Sequence, residues 1–187
     1  KAVIISDSAS PIPVIFSSIQ EAIDYTDPGD TVEVAAGTYE EGVTINEWLT
    51  LEGAGSDSDG TVITNSPSNG IIVTQGGNSE TERLIIKNLR VENTGAHGIK
   101  LTGSSGNHLI EHVTLENVSL VNNTVHYGLW AHALNDVKLI DCDMSNNEKY
   151  GVAAGPVNNF DVINCEMNNN GRVGLYLEAH GGVNQDV

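Results

Sequence analysis

Aromatic and basic side chains recur at regular intervals in the second half of this 187-residue chain, and their types suit ligand binding. They fall in four segments of similar pattern, 97–102, 126–132, 149–155 and 172–178, which we call the strip. The strip holds three of the eight lysine and arginine residues and three of the five tyrosines. Basic residues stand two positions before the segment's glycine in three cases: His126, Lys149 and Arg172.

This combination predicts binding of an acidic polysaccharide. Trp130 and Tyr176 are two repeats apart, and stacked strands would separate them by roughly 9.6 Å, about the length of two sugar residues. Aromatic faces stack on the apolar faces of sugars, and the basic side chains suit carboxylates. The predicted contact residues are Lys100, His126, Trp130, Tyr176 and Glu178. These residue types also suit the exposed face of any strand, so an ordinary surface is the alternative interpretation.

The strip also carries the groups that β-elimination from a uronate requires. That reaction neutralises the carboxylate, removes the C5 proton with a base and protonates the leaving oxygen with an acid. Lys149, Arg172 or a bound Ca²⁺ would neutralise the charge, and His132 or Lys100 would be the base. The acid would be Tyr127 or Tyr150. The candidate catalytic residues are therefore His132, Tyr127, Tyr150, Lys149 and Arg172.

Calcium is the candidate cofactor. The segment from Gly55 to Gly60 contains Asp57 and Asp59 in a Ser/Asp/Gly-rich turn, and carboxylate oxygens are ligands that Ca²⁺ prefers. A solvated turn without a metal is the alternative interpretation of the same segment, and Asp141, Asp143 and Glu166 are alternative ligands near another turn.

The charge of the chain excludes several classes of partner. Acidic residues outnumber lysine and arginine by 25 to 8, which gives a formal net charge of −17. A surface of this sign repels phosphate, so we expect no binding to nucleic acid. No apolar run approaches the roughly 20 residues that span a bilayer, so we expect no membrane insertion.

Internal repeats predict the fold that positions these residues. Four segments align with one another at intervals of 23 to 29 residues, beginning at Leu84, Val113, Val137 and Phe160. Apolar residues alternate along each segment, which is the pattern of strands with one buried face. Since one unit alone buries no such face, the units must stack. Two columns of Asn or Asp mark the turns: Asn88, Asn117, Asp141 and Asn164, then Asn93, Asn122, Asn146 and Asn169. We expect a bend with positive φ at the first column and hydrogen-bonded amide ladders.

The first third of the chain predicts a cap and the first strands. Residues 17–25 have the pattern of a short amphipathic helix, with Ser17 or Ser18 at its start and Ile19, Ala22 and Ile23 on one face. The helix would cover the open end of the stack. The expected first strands are 32–34, 37–39, 43–45 and 49–51.

Coils of about 23 residues with asparagine ladders resemble the right-handed parallel β-helix of the pectate-lyase-like superfamily. The N-terminal run is similar to the opening of many secreted β-helix proteins, including archaeal surface proteins. The resemblance implies an all-β, single-stranded solenoid with a short capping α-helix. Residues 127–132 also resemble a motif of mannuronan C5-epimerases, in which Tyr127, Gly128 and His132 match. Trp130 stands where that family has aspartate, and Ala131 where it has proline.

We predict one domain over residues 1–187, with a cap at 1–31, irregular coils at 32–83 and regular coils at 84–187. Residues 184–187 repeat the start of the preceding coil, so the last coil is expected to be incomplete. An uncapped end would belong to a longer β-helix or allow end-to-end self-association.

The predicted function is a secreted or cell-surface domain that binds an acidic polysaccharide and that also has features of a lyase or epimerase. The alternative is a structural surface-layer, adhesin or filament protein.

Overall fold

The computed structural model describes residues 2–6, 14–102 and 109–178. Within these ranges, regular structure consists of one short helix, α1 (Ile19–Ile23), and fourteen strands. The strands are β1 (Val3–Ser6), β2 (Val14–Phe16), β3 (Thr31–Val34), β4 (Gly37–Tyr39), β5 (Val43–Ile45), β6 (Thr50–Glu52), β7 (Thr61–Thr64), β8 (Ile71–Val73), β9 (Leu84–Glu92), β10 (Ile99–Thr102), β11 (Ile110–Val121), β12 (Leu129–Ile140), β13 (Val152–Ile163) and β14 (Leu175–Leu177).

The strands form three parallel stacks, one on each side of the coil. The first stack joins β3, β6, the first half of β9, the middle of β11 and the second halves of β12 and β13. The second joins β4, β7 and the second halves of β9 and β11. The third joins β5, β8, β10, the first halves of β12 and β13, and β14. This arrangement confirms the predicted β-helix.

The predicted core register is confirmed. Leu84, Val113, Val137 and Phe160 pair in sequence across adjacent strands, and each is fully buried. Other apolar columns reach the last described coil, where the side chains of Met167, Leu175 and Leu177 are only partly buried. Burying these apolar columns is the main source of stability, because no single coil encloses its own apolar face.

Residues with positive φ make the bends between stacks. The predicted first column, Asn88, Asn117, Asp141 and Asn164, has φ values of 50 to 55°. The second column, Asn93, Asn122, Asn146 and Asn169, has φ values of 52 to 60°. Asn and Asp tolerate this conformation better than other residues with a side chain. The sequence predicted separate short strands, whereas β11, β12 and β13 each run for twelve residues. Residues with positive φ bend each of these strands: His112 and Asn117 in β11, Ala133 and Asp136 in β12, and Asn159 in β13. The hydrogen bonding to the neighbouring strands resumes on both sides of each bend.

The buried amide ladder lies one residue after the second predicted column. The side chain of Asn123 donates to Asn147 Oδ1 at 2.9 Å, and Asn147 Nδ2 donates to Asn170 Oδ1 at 3.2 Å. The hydroxyl of Thr94 continues the ladder by donating to Asn123 Oδ1 at 2.7 Å. Asn122 and Asn146 are instead exposed, because their left-handed backbone directs the side chain outward and the next side chain inward.

The repeated glycines pack against this ladder. A Cβ atom added to Gly128 would lie 2.7 Å from the carbonyl oxygen of Gly151 and 2.9 Å from Asn147 Nδ2. In the coils before and after, Gly98 and Gly151 face the equivalent pair of atoms, a glycine carbonyl oxygen at 2.7 Å and an asparagine Nδ2 at 2.9 Å. Gly98, Gly128 and Gly151, each near the start of a strip segment, are therefore required by close packing against a side-chain amide of the ladder.

The N-terminal cap forms as predicted, with one addition. Ser18 accepts a hydrogen bond from the backbone of Glu21, and Ile19, Ala22 and Ile23 enter the core. The Glu41 carboxylate accepts from two free N–H groups of the first turn, at 3.0 and 3.1 Å. The addition is an antiparallel pair, in which β1 lies against β3 and β2 against β1. These two strands cover an open edge of the stack that, from the sequence, only the helix was expected to cover.

No helix within the described ranges is long and apolar enough to cross a membrane. The expected incomplete coil at residues 184–187 lies outside the described residues. The proposed boundaries within the domain and the end-to-end association stay predictions.

Candidate functional site

The strip lies on the outer surface of the third stack. Lys100 pairs with Trp130, Trp130 with Ala153, and Ala153 with Tyr176, as the alignment on the glycines predicted. His132 pairs in the same way with Gly155. Because the strands are parallel and in register, side chains from four coils come side by side although each is 23 to 30 residues from the next in sequence.

Two small residues open a groove in this surface. Ala153 and Gly155 stand where the coil before them carries Trp130 and His132. The resulting groove has a volume of about 170 Å³. It is lined by Tyr127, Trp130, Ala131, His132, Tyr150, Ala153, Ala154, Gly155, Tyr176 and Glu178. Trp130 and Tyr176 therefore flank a gap that is one residue deep and open to solvent.

Of the ten residues predicted for binding or catalysis, six line the groove and the other four flank it. Those in the groove are Tyr127, Trp130, His132, Tyr150, Tyr176 and Glu178. Lys100 Nζ lies 5.0 Å from the centre of the Trp130 ring, and the Arg172 guanidinium carbon lies 5.6 Å from the centre of the Tyr150 ring. Arg172 also donates a hydrogen bond of 3.1 Å to the Tyr150 hydroxyl. Lys149 Nζ lies 2.9 Å from His126 Nδ1.

The rings of the strip form a connected cluster. The ring centres of Tyr127 and Tyr150 are 5.0 Å apart. The Tyr150 ring stacks on that of Tyr176, with 5.3 Å between ring centres and an interplanar angle of 14°. His97 lies 4.8 Å from Tyr127 and stacks on Trp130 at 5.7 Å. His97 is not among the residues predicted for the site. The signal was available, because His97 precedes Gly98 as Tyr127 and Tyr150 precede their glycines.

The cations of the strip have no carboxylate partner in the described part of the chain. Seven lysine and arginine residues are described, and four of them pair with acidic side chains: Arg83, Lys87, Arg90 and Lys138. The other three are Lys100, Lys149 and Arg172, all in the strip. Each contacts an aromatic or imidazole ring instead. In a chain with a net charge of −17, this local excess of positive charge is a specific feature of one surface.

Two histidines beside the groove, His97 and His126, have a pKa below the ordinary value for histidine, which favours their neutral forms at neutral pH. Burial first, and then the charges of His126, Lys100 and Lys149, together lower the pKa of His97 to about 4. His97 Nδ1 is buried and has no hydrogen-bond partner among the residues that the structure describes. Partial burial and then the Lys149 ammonium also lower the pKa of His126. Neutral imidazoles limit the repulsion that so many neighbouring cations would otherwise generate.

The predicted calcium ligands lie apart from the groove. Asp57 and Asp59 are in a turn closed by hydrogen bonds from Gly60 N to Asp57 O and from Thr61 N to Gly55 O, both 3.1 Å. No group of three or more His, Cys, Asp or Glu side chains in residues 2–6, 14–102 and 109–178 is placed to hold a metal ion. Calcium binding by Asp57 and Asp59 stays a prediction.

Residues 50–186 match the family model described as a right handed beta helix region, which covers nearly three quarters of the chain. No curated protein matches the chain. The family match agrees with the parallel stacks of the structure over the coils that carry the strip.

Proposed function

Because the chain belongs to the right-handed β-helix family, a fold found in pectate lyases and many other proteins, its function must come from a site on that scaffold. We propose that it is a secreted or cell-surface domain that binds an acidic polysaccharide along the strip. The groove between Trp130 and Tyr176 would hold the sugar rings, and the flanking cations would contact their acidic groups.

The observation that carries this proposal is the distribution of unpaired positive charge. Elsewhere in the described residues, lysine and arginine are neutralised by carboxylates, while Lys100, Lys149 and Arg172 are not. Acidic side chains are abundant in this chain and Glu178 lies in the groove itself, yet no described carboxylate forms an ion pair with these three cations, which favours an anionic ligand over an ordinary exposed face.

The aromatic groove adds the second half of the recognition. Tyr176 has 44% of its surface exposed, and Trp130 and Tyr150 are half-buried beside it. A flat ring held in place by its neighbours loses little conformational entropy when a sugar stacks on it. Glu178 and His132 lie in the same groove and supply hydrogen-bonding groups for sugar hydroxyls.

We expect Trp130→Ala to weaken binding at least about 30-fold, equivalent to about 2 kcal/mol, without lowering the melting temperature. The half-buried indole is on the outer surface, so its removal takes away a stacking face and leaves the core intact. The measurement is calorimetric titration with polygalacturonate, alginate and heparan sulfate, and with dextran as a neutral polymer.

The matched control is Tyr25→Ala. Tyr25 is 67% exposed and lies beside Phe16 in the N-terminal cap, away from the strip. The Tyr25→Ala substitution should leave glycan binding unchanged. If Trp130→Ala binds acidic glycans as tightly as the wild type, the strip is not the binding surface. If neither protein binds any acidic glycan, the structural alternative, a surface-layer, adhesin or filament domain, becomes the better account.

Catalysis is a second candidate function, favoured by the position of His132, Tyr127 and Tyr150 in the same groove. His132 would act as the base and a tyrosine as the acid in uronate elimination or epimerisation, with Arg172 or Lys149 close to the substrate carboxylate. Polyuronates that bind should be incubated with the protein, with and without Ca²⁺, and examined for unsaturated or epimerised products. The calcium arm also tests Asp57 and Asp59, because Asp57→Asn should remove any calcium dependence that arises there.

A further inference from the structure

The contact between His126 and Lys149 is unusual for a lysine in an acidic protein. The Lys149 ammonium has only N–H donors, so it must donate to His126 Nδ1 across the 2.9 Å contact. Nδ1 is therefore unprotonated, and the proton of the neutral imidazole is on Nε2. The lysine uses a neutral ring as its acceptor, although 25 carboxylates are available in the chain.

Among the described residues, the side chains recorded in contact with His126 are cationic or aromatic. The centre of the His97 ring, on the preceding coil, lies 5.1 Å from the centre of the His126 ring, and that of Tyr127, on the same coil, lies 5.6 Å from it. Lys149 is on the following coil. Lys100 lies further along the preceding coil and contacts the Trp130 ring. No described carboxylate forms an ion pair with any of these groups.

We propose that His126 and Lys149 form an anion subsite that distinguishes charged from neutral sugars, and that His126 takes up a proton when the anion binds. This inference rests on the proposed glycan-binding function. The ligand group is an oxyanion of the glycan, either a carboxylate or a sulfate. It replaces His126 Nδ1 as the acceptor for Lys149, and Nδ1 gains a proton from solvent and donates to the anion.

The sign of the pH dependence follows from the charges. In the free protein, burial and Lys149 hold the pKa of His126 below its ordinary value of about 6.5. A bound anion offsets the charge of Lys149 and accepts a hydrogen bond from the protonated ring, so the pKa rises in the complex. Affinity must therefore increase as the pH falls from above the pKa of the complex toward that of the free protein. Glycan carboxyls remain ionised in that range, since their pKa is near 3.5, roughly that of a free α-carboxyl group.

The test is calorimetric titration with short oligomers of each acidic glycan in the panel, at about pH 8 and about pH 5.5. Each titration is made in two buffers of different ionisation enthalpy, which reports the number of protons taken up. We expect the wild type to bind several-fold more tightly at the lower pH, up to about tenfold for each unit by which binding raises the pKa. His97 stays mainly neutral in this range because its pKa is about 4.

Two variants separate the roles of the pair. His126→Gln keeps an acceptor for Lys149 but does not titrate, so it should bind as wild type does near pH 8 and show neither proton uptake nor tightening at lower pH. Lys149→Met should weaken binding of acidic glycans about tenfold or more. Its matched control is Lys87→Met, which removes a lysine paired with Glu52 on another surface and should leave binding unchanged.

Each outcome decides between the two proposals. Acidic glycans that bind through Trp130 without proton uptake would overturn the role of His126 and leave the proposed function intact. Proton uptake that persists in His126→Gln would assign the titration to another group and overturn the same inference. An absence of binding to every acidic glycan at both pH values would overturn the proposed function together with the subsite.

Discussion

Replacement of Asn147 by leucine is expected to lower the free energy of unfolding by about 3–6 kcal/mol, because it breaks the buried amide ladder. Asn147 is 2% exposed and sits between two other members of the ladder. Its Oδ1 accepts from the backbone and side-chain nitrogens of Asn123, at 3.2 and 2.9 Å. Its Nδ2 donates to the carbonyl of Leu120 at 2.9 Å and to Asn170.

Leucine has nearly the same shape as asparagine, so the substitution removes hydrogen bonds and leaves little empty volume. The N–H groups of Asn123 then remain buried without an acceptor, and each such group costs about 1–3 kcal/mol. Denaturant unfolding monitored by circular dichroism measures the loss. Asn168→Leu is the control, because Asn168 is exposed one residue before the left-handed position in the next coil. Its effect should stay within about 0.5 kcal/mol. A similarly small effect at Asn147 would show that water replaces the amide and that the ladder contributes little.

Replacement of Arg83 by methionine is expected to cost about 3 kcal/mol. The Arg83 side chain is 10% exposed and links its own coil to the next two. It donates to Thr114 Oγ1 and to the carbonyls of Val113 and Asp136, each at 2.9 Å, and it pairs with the Asp136 carboxylate. Methionine keeps most of the aliphatic stem but leaves a carboxylate that is only 14% exposed with weaker partners.

The stabilisation that Arg83 gives the protein is also expected to depend on pH, through the ionisation of Asp136. Burial alone would raise the pKa of Asp136, but hydrogen bonds from Arg83 and His112 and the nearby positive charge outweigh it and lower the pKa. A carboxyl with a lowered folded-state pKa stabilises the protein above its unfolded value of about 3.9, and that stabilisation is lost as the pH falls through the lower folded value. The difference in stability between wild type and Arg83→Met should therefore narrow below about pH 4.

Chemical denaturation from neutral pH to about pH 3 measures this difference. Lys87→Met is the matched control: its partner Glu52 is 36% exposed, and a pair at the surface contributes at most about 1 kcal/mol. An Arg83→Met variant as stable as Lys87→Met would show that the cluster does not brace the coils. A difference that stays constant to pH 3 would assign the stabilisation to the neutral hydrogen bonds rather than to the Asp136 charge.

The repeats allowed much of the fold to be predicted from the sequence. Columns such as Leu84, Val113, Val137 and Phe160 are apolar because every coil buries the same positions, so periodicity and register appear directly in the residue types. The bend at Asn88 and its equivalents was predicted for the same reason, since few residues with a side chain tolerate positive φ. The antiparallel β1 and β2 were not predicted, because they occur once and no repeat supports them.

The amide ladder shows how a one-residue shift escapes sequence analysis. The sequence contains adjacent asparagines at 122–123, 146–147 and 169–170, and both columns look equally suited to a ladder. The left-handed conformation of the first member directs it outward and buries the second, which then packs against the repeated glycines. Only backbone geometry separates two residues of identical chemistry.

The sequence by itself therefore determined the coil, its register and the surface on which the aromatic and basic residues of the strip meet. Tertiary structure decided which of these residues enclose a groove and which cations have no carboxylate partner. Periodicity specifies which residues are neighbours, because strands in register repeat every 4.8 Å or so. It does not specify the direction of a long side chain such as that of Lys149 or Arg172. That direction depends on competition among nearby acceptors and rings, which exists only once the coils have stacked.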